Sequence, residues 1–264
     1  MKKKKTRPVQ RAPGVQALAK GFALLRSFNR DTPSMTLSEA AEATRLPRAT
    51  ARRLLHTLIQ LGYVEADKKQ FRLTPNVLGL GYSYLSSLPW WDIALPYMRA
   101  ASAALHETCV AAVLSGHDVV LVARTRGTRF ISVNIPIGER IPAHVTAMGR
   151  LLLAHLPDDG LDAYLADAQL QKLTPRTVTN KTELRKVILT ARKQGFSCVD
   201  QELEIGLRTI ATPIVDSSGQ IIAAIAVSVH VSRATVRDLR AKILPVLRET
   251  AASISAALPP VGGS

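Results

Sequence analysis

The stretch from residue 36 to residue 73 constrains the fold most, because it predicts two short helices, a sharp turn between them and a small β-hairpin. The sequence TLSE at 36–39 has the form of a capping box, which marks the start of a helix. A second helix is predicted over 48–61, after a break at 46–47, and Gly62 ends it. This order of elements is typical of a winged helix-turn-helix, one of the DNA-binding motifs.

The second of these helices carries apolar residues on one side and hydrogen-bond donors on the other. A helix that enters the major groove of DNA needs long donors on its outer face and apolar residues beneath. Arg48 and Arg52 are four residues apart and therefore share a face. A double-stranded DNA operator is the expected partner. The candidate DNA-contacting residues on this helix and the following hairpin are Arg48, Thr50, Arg52, Arg53, His56, Lys68 and Lys69.

An ordinary amphipathic surface helix is the competing interpretation, and the helix taken alone favours it. The distribution of charge along the chain supports the DNA interpretation instead. Residues 1–80 contain 16 Lys and Arg against 5 Asp and Glu, whereas residues 81–264 contain 19 against 15. A solubilising tail would explain the lysines at 2–5, but not the basic residues in the amphipathic region beyond them. Residues 1–13 are predicted to form a flexible basic arm.

Membrane, secreted and zinc-ribbon proteins are disfavoured by simple features of the sequence. No stretch of about eighteen apolar residues is free of charge, so no membrane-spanning helix is expected. No apolar segment follows the basic N-terminus, so no secretory signal is expected. Two cysteines, Cys109 and Cys198, cannot form a disulfide framework or a four-thiolate zinc site. We therefore expect a cytoplasmic protein without a metal or another cofactor.

From residue 75 onward the pattern predicts a linker helix followed by an α/β domain. The sequence DSSGQ at 216–220 lies between two strand-like segments and is the clearest hairpin signal in the chain. The predicted strands are 110–114, 119–124, 130–135, 209–215 and 221–229. The predicted helices, besides those of the N-terminal motif, are 15–28, 75–88, 92–108, 146–155, 159–172, 182–194 and 232–257.

Three separate blocks of the sequence, in the same order, resemble the IclR family of bacterial transcriptional regulators. The first is the helix-turn-helix run TLSEAAEATRLPRATARRLLHTLIQLGYVEADKKQFRLTP at 36–75. The second, GERIPAHVTAMGRLLLA at 138–154, is similar to the block that opens the family's effector-site helix. The third, VDQELEIGLRTIATPIVDSSGQIIAAIAVSV at 199–229, is similar to its terminal ligand-domain block. The resemblance extends over about residues 14–257.

The resemblance implies a sequence-specific DNA-binding regulator, an activator or a repressor, controlled by a small carboxylate effector. It also implies an α+β fold: an N-terminal winged helix-turn-helix, a linker helix, and a C-terminal α/β, GAF-like effector-binding domain with a mainly antiparallel sheet. Homodimers formed through the N-terminal region, or dimers of dimers, are expected. The expected segments are a basic arm (1–13), the DNA-binding domain (14–74), the linker helix (75–91), the effector-binding domain (92–258) and a flexible tail (259–264).

Within that family, residues 81–98 are similar to regulators of aromatic-acid catabolism that act on the β-ketoadipate pathway. That similarity implies an aromatic acid or a ring-cleavage product as effector, such as protocatechuate, p-hydroxybenzoate or β-ketoadipate.

The candidate effector site lies at the start of the helix near residue 146. Thr146 is a favourable N-cap residue, and the backbone N–H groups of the first helical turn bind a carboxylate without a cationic side chain. The competing interpretation is that Thr146 is only a cap and Ser228 only a satisfied strand hydroxyl. The resemblance favours the site, and the implied effector-binding residues are Thr146, Ala147, Met148, Gly149, Thr209, Ala226 and Ser228.

Other polar residues receive structural interpretations. Asp200, Glu202 and Glu204 alternate with apolar or neutral residues, and we expect a solvated strand face rather than a pocket or metal site. His106 and Cys109 have ligand-like spacing without a partner pair, so a packed histidine and a core cysteine are expected.

No GxSxG, HExxH, Walker A or GxGxxG motif occurs in the sequence, so no catalytic residue is assigned. An enzyme that processes a small molecule and carries a basic DNA- or RNA-binding appendage stays as the alternative.

Overall fold

The computed structural model describes residues 14–128 and 135–260, and the chain divides into two compact units after Tyr84. The first unit combines helices with a small antiparallel sheet of strand order β1-β3-β2. The basic arm expected at 1–13 lies outside the described residues. The elements are α1 (Gln16–Ser27), β1 (Ser34–Thr36), α2 (Leu37–Thr44), α3 (Arg48–Gln60), β2 (Val64–Asp67) and β3 (Gln70–Leu73), followed by α4 (Val77–Ser86), which crosses the boundary.

The helix boundaries in the first unit follow from local chemistry. The capping box is confirmed: the Thr36 hydroxyl accepts from the Glu39 N–H, and the Glu39 carboxylate accepts from the Thr36 N–H at 2.7 Å. Gly62 has φ +76°, a left-handed conformation that favours glycine, directly after α3. Leu24 and Leu55 are fully buried in the core that joins α1 to α3.

Strand β1 was not predicted. It pairs antiparallel with β3, and Met35 lies opposite Phe71 with its side chain buried. A three-residue strand has no detectable period of its own. Its pairing depends on a partner 36 residues away, which is why the local pattern did not reveal it.

The second unit is built on a six-stranded antiparallel sheet of strand order β6-β5-β4-β9-β8-β7. Its helices are α5 (Trp91–Leu105), α6 (Ala147–Ala154), α7 (Asp158–Asp167), α8 (Lys181–Gln194), α9 (Val236–Asp238) and α10 (Leu244–Ala257). Its strands are β4 (Cys109–Ser115), β5 (Asp118–Thr125), β6 (Arg140–Pro142), β7 (Ser197–Asp200), β8 (Leu207–Val215) and β9 (Ile221–His230). The mixed α+β fold with a mainly antiparallel sheet agrees with the sequence prediction.

Helices cover both faces of this sheet and create two apolar cores. One core packs α5 and α10 against the sheet and includes Met98, Ile210 and Leu247. The other packs α6 and α8 against the opposite face and includes Leu151 and Ile188. The second core holds the helix start that the sequence assigned to effector binding.

Several predicted boundaries in the second unit need correction. The C-terminal helix begins at Val236 rather than at residue 232, because Thr235 and Asp238 form a capping box there. A π-helical turn, Leu239–Ile243, then joins α9 to α10. Strands β6 and β7 were not predicted; both are short edge strands. Most of the strand expected at 130–135 lies outside the described residues. Over 14–128 and 135–260, no helix has the length and apolar character needed to span a bilayer.

Candidate functional site

Helix α3 presents its polar side chains on the side opposite its buried residues. Ala51, Leu55 and Leu58 pack into the core of the first unit. The helix contains no acidic residue, so nothing within it neutralises its cations. The predicted DNA-contacting residues of α3 lie on its outer side, where Thr50 is half-buried and the other four are exposed: Arg48, Arg52, Arg53 and His56.

A sharp turn joins α2 to α3 and sets the angle between them. Arg45 adopts a left-handed conformation with φ 54°. The N–H of Leu46 donates to the Ala41 carbonyl at 2.9 Å, which closes α2 before Pro47 begins the next helix.

The hairpin of β2 and β3 presents two exposed lysines at its tip. Lys68 has φ 58°, which completes the tight turn, and Lys69 follows it. Arg72 lies opposite Glu65 in the strand register, and its Nε donates to the Glu65 carboxylate at 2.6 Å. Lys68 and Lys69 are therefore the cations at the tip, while Arg72 is engaged by a cross-strand ion pair.

In the second unit, one cavity brings together four of the seven predicted effector residues. Thr146 and Met148 come from the start of α6, whereas Thr209 and Ser228 come from β8 and β9. Thr209 and Ser228 are direct register partners, and their hydroxyl oxygens are 2.8 Å apart. The remaining lining is mostly apolar: Thr108, Val110, Leu121, Arg124, Ile135, Ile141, Val145, Val199, Leu203 and Leu207.

The other three predicted effector residues, Ala147, Gly149 and Ala226, are not among the residues that line this cavity. Ala147 and Ala226 are fully buried in the core beneath α6. Of the backbone N–H groups of the first helical turn, that of Gly149 already has an acceptor, because it donates to the Thr146 hydroxyl at 2.9 Å. A Cβ at Gly149 would lie 2.1 Å from the Ala143 carbonyl oxygen, so the glycine allows a close backbone approach.

Arg124 on β5 is a cavity residue that the sequence analysis missed. Its side chain is half-buried, and its Nη1 donates to the Ile135 carbonyl at 3.1 Å. Burial is the main cause that lowers the pKa of this guanidinium, and the nearby charge of Arg126 lowers it further. The available signal was an arginine at the end of the otherwise apolar strand Val119–Arg124, which interrupts the hydrophobic run.

A buried ion pair corrects the interpretation of residues 200–204 as a solvated strand face. Strand β7 ends at Asp200, so the alternation does not continue into Glu202 and Glu204. Glu202 is 7% exposed and Arg150 on α6 is 1% exposed; their two Nη···Oε distances are 2.7 and 2.6 Å. Asp200 pairs instead with Arg208 and Arg176. Within residues 14–128 and 135–260, no group of three or more His, Cys, Asp or Glu is arranged to hold a metal.

The two cysteines and His106 offer little for catalysis. Cys109 is fully buried, as expected, and burial raises the pKa of its thiol to about 12. Cys198 on β7 is half-buried, and burial raises its pKa to about 11. His106 was expected to be packed, but it is exposed just after α5, where its left-handed backbone ends the helix.

Comparison with protein families matches both units of the chain. The model of the IclR helix-turn-helix domain matches residues 17–68, and that of the bacterial transcriptional regulator IclR C-terminal domain matches residues 82–256.

Individual relatives agree with these matches. The Pca regulon regulatory protein of Pseudomonas putida is 44% identical over 232 residues, which cover 88% of this chain and 80% of the relative. The p-hydroxybenzoate hydroxylase transcriptional activator of Acinetobacter baylyi is 34% identical over 90% of this chain and 89% of the relative. A crystal structure of an IclR homologue from Microbacterium hydrocarbonoxydans, complexed with 4-hydroxybenzoate, superposes with a TM-score of 0.81. Its sequence is 26% identical, and the match covers 91% of this chain and 98% of that one.

Proposed function

The chain belongs to the IclR family of bacterial transcriptional regulators, and we propose that a small organic acid bound in the second unit controls its binding to a DNA operator. The single observation that carries this proposal is the cavity beneath α6, in which the hydroxyl pair of Thr209 and Ser228 faces an otherwise mostly apolar lining. Small-molecule sites have this character: apolar walls with a few polar groups that orient the ligand.

The proposed DNA contacts come from α3 and the β2–β3 hairpin. Arg48 and Arg52 would contact base edges in the major groove, with Thr50, Arg53 and His56 beside them. Lys68 and Lys69 would contact the flanking phosphates. Exposure of the cations and the absence of an acid on α3 support this assignment. We propose that α4 is the linker from a DNA-binding domain at 14–74 to an effector-binding domain at 92–258.

The proposed effector is an aromatic acid or a product of aromatic-ring cleavage. One relative is named for a Pca regulon, another for the activation of p-hydroxybenzoate hydroxylase, and a third binds 4-hydroxybenzoate. Thr146, Met148, Thr209 and Ser228 would contact the ligand directly, and Met148 would supply adaptable apolar contact for a ring. Ala147, Gly149 and Ala226 would act as a second layer, by fixing the start of α6 against the sheet.

We propose a homodimer, or a dimer of dimers, as the DNA-binding assembly, since one recognition helix reads few bases. The first unit has an apolar groove between α1 and α3, extended by Leu80, that suits a second copy of the chain. Four large apolar side chains in it are solvent-exposed: Leu18, Phe22, Leu61 and Leu80. Because the operator of a bacterial regulator lies in the cytoplasm, the protein would act there.

The alternative function, an enzyme with a basic appendage, is disfavoured by the chemistry of the second unit. A nucleophilic cysteine requires a lowered pKa, and both thiols have raised ones. Control of DNA binding by a reversibly bound acid needs no nucleophile and no covalent step.

A gel-shift titration with DNA from upstream of the chain's own gene tests the proposal. We expect a discrete complex whose apparent Kd changes when protocatechuate, p-hydroxybenzoate or β-ketoadipate is added. Such a change requires only that the acid bind the DNA-bound and the DNA-free forms of the protein with different affinities. If the complex does not form, or if none of the acids changes its affinity at millimolar concentration, the regulatory proposal is wrong.

A further inference from the structure

The cavity contains one charged side chain among its described lining residues, and that side chain is cationic. The lining is composed of aliphatic residues, Met148, four hydroxyl residues and Arg124. No Asp or Glu is part of it. An arginine side chain that lines a mostly apolar cavity offers charge-assisted hydrogen-bond donors to an anionic ligand.

The strand register places Arg124 on the same face of the sheet as the hydroxyl pair. Arg124 on β5 is opposite Val110 on β4, and Val110 is opposite Ala226 on β9. Ser228 is two residues beyond Ala226 and therefore points to the same side. Arg124 and Ser228 are thus separated by one intervening strand, which corresponds to about 10 Å across the sheet.

The Arg124 guanidinium and the Thr209–Ser228 hydroxyl pair differ in the hydrogen bonds that they can offer a ligand. The planar guanidinium of Arg124 can donate two parallel hydrogen bonds to a carboxylate, and the bond to the Ile135 carbonyl helps to hold its orientation. When one hydroxyl of the Thr209–Ser228 pair donates to the other, the second hydroxyl keeps its proton and both keep acceptor capacity. The pair therefore matches a neutral group that both donates and accepts, such as a phenol.

From this arrangement we infer that Arg124, rather than the backbone N–H groups of α6, recognises the effector's carboxylate, and that Thr209 and Ser228 recognise a hydroxyl at its opposite end. The ligand class is a hydroxy-substituted aromatic carboxylate whose ring rests on Val110 and Met148 between the two polar ends. This inference rests on the proposed effector role of the cavity and specifies which residue selects the acid. The capping bond that engages the Gly149 N–H supports it, because that N–H already has an acceptor.

The pKa of Arg124 is consistent with this role. Burial and the charge of Arg126 both lower it, which means that the surroundings disfavour the cation. A carboxylate placed against the guanidinium would oppose both effects.

Calorimetry with a matched pair of ligands tests the inference. 4-Hydroxybenzoate and the neutral 4-hydroxybenzamide have nearly the same shape, so their Kd ratio isolates recognition of the carboxylate. We expect the wild type to prefer the acid at least about tenfold, and Arg124→Gln to weaken acid binding by about 30-fold while changing amide binding by less than about threefold. Arg126→Gln, which removes a neighbouring charge outside the cavity lining, should change the acid Kd by less than about threefold.

Two further variants complete the test. Arg124→Lys keeps the charge but lacks the planar guanidinium, so it should retain part of the preference for the acid. This variant keeps the inference testable if Arg124→Gln does not fold. Ser228→Ala should weaken binding of 4-hydroxybenzoate more than binding of benzoate. Equal acid affinity in wild type and Arg124→Gln would overturn the assignment while leaving the effector function in place. Failure of the wild type to bind 4-hydroxybenzoate, protocatechuate and β-ketoadipate alike would overturn both.

Discussion

Arg150 on α6 and Glu202 in the segment after β7 form a bidentate ion pair, and both side chains are buried. The Arg150 Nε also donates to the His144 carbonyl at 2.7 Å, and Glu202 also accepts from the Val178 N–H at 2.9 Å. The pair therefore joins α6 to three separate stretches of chain. Since Leu203 follows Glu202 and lines the cavity, this pair also fixes part of the cavity wall.

Removal of one partner of this pair should destabilise the second unit strongly. Glu202→Ala leaves the Arg150 charge and the Val178 N–H buried without their acceptor, so we expect a loss of about 3–5 kcal/mol in the free energy of unfolding. Urea denaturation followed by circular dichroism measures it. The double variant Arg150→Met, Glu202→Leu removes both charges and should be closer to the wild type. A loss below about 1 kcal/mol for Glu202→Ala would contradict the buried-pair account.

Arg48 and Arg52 should contribute to operator affinity through base contacts. Arg48→Ala or Arg52→Ala should each weaken specific binding by about 1–3 kcal/mol, or roughly 5- to 150-fold, in fluorescence anisotropy with labelled DNA. Arg237→Ala, at an exposed arginine in the second unit, is the charge-matched control and should bind almost normally. Wild-type affinity in the Arg48→Ala, Arg52→Ala double variant would refute α3 as the recognition helix.

Lys68 and Lys69 should contribute affinity that does not depend on the DNA sequence. Because each phosphate contact releases counterions, the double alanine variant should reduce the slope of log K against log salt by about 2. Titrations at several salt concentrations, with operator and with unrelated DNA, measure this slope. An unchanged slope would place the hairpin tip away from the phosphates.

His144 should make the protein less stable in mild acid. The residue is buried, and burial is the largest cause that lowers its pKa from 6.5 in spite of the Gln171 carbonyl that its Nε2 contacts at 3.0 Å. The unfolded chain therefore binds a proton more readily, so stability present above about pH 6.5 should be lost as the pH falls below it. Melting temperatures between pH 5 and 8 should show a smaller decrease for His144→Gln than for the wild type. His56→Gln, at an exposed histidine, is the control, and identical pH profiles for all three would contradict the prediction.

The apolar groove of the first unit should control self-association. Leu18 is 62% exposed and Leu80 is 43% exposed, so glutamate at either position should leave the monomer folded but weaken the dimer. Light scattering at micromolar concentration should report a dimer or tetramer for the wild type and smaller species for Leu18→Glu and Leu80→Glu. Leu173→Glu, at a comparably exposed leucine in the second unit, should keep the wild-type mass. A monomeric wild type, with or without DNA, would refute the proposed assembly.

The sequence was sufficient for features that depend on neighbouring residues. The capping box at Thr36, the glycine that ends α3 and the hairpin at 216–220 all arise from interactions within a few residues, which a local pattern contains. Thr209 and Ser228 lie in adjacent strands of one hairpin, so their pairing follows from the turn that joins them.

The missed features depend on residues far apart in the chain. Glu202 looked like a solvated strand residue because its partner, Arg150, is 52 residues away on another element. Arg124 was overlooked because the helix start alone offered an account of carboxylate binding, and only the folded sheet places that arginine on the same face, and in the same cavity, as the hydroxyl pair. The same limit applies to β1, whose burial depends on β3.

The protonated, shielded state of Cys109 and Cys198 also makes the protein convenient for spectroscopy. At neutral pH neither thiol supplies much thiolate, the form that reacts with maleimide dyes and spin labels. The chain contains two cysteines in total, so one introduced at an exposed position would be the preferred point of attachment without prior removal of the natural pair. A label at Gln70, an exposed hairpin residue outside the proposed DNA contacts, and another at an exposed residue of the second unit would therefore allow any movement of the hairpin to be followed as the effector is added.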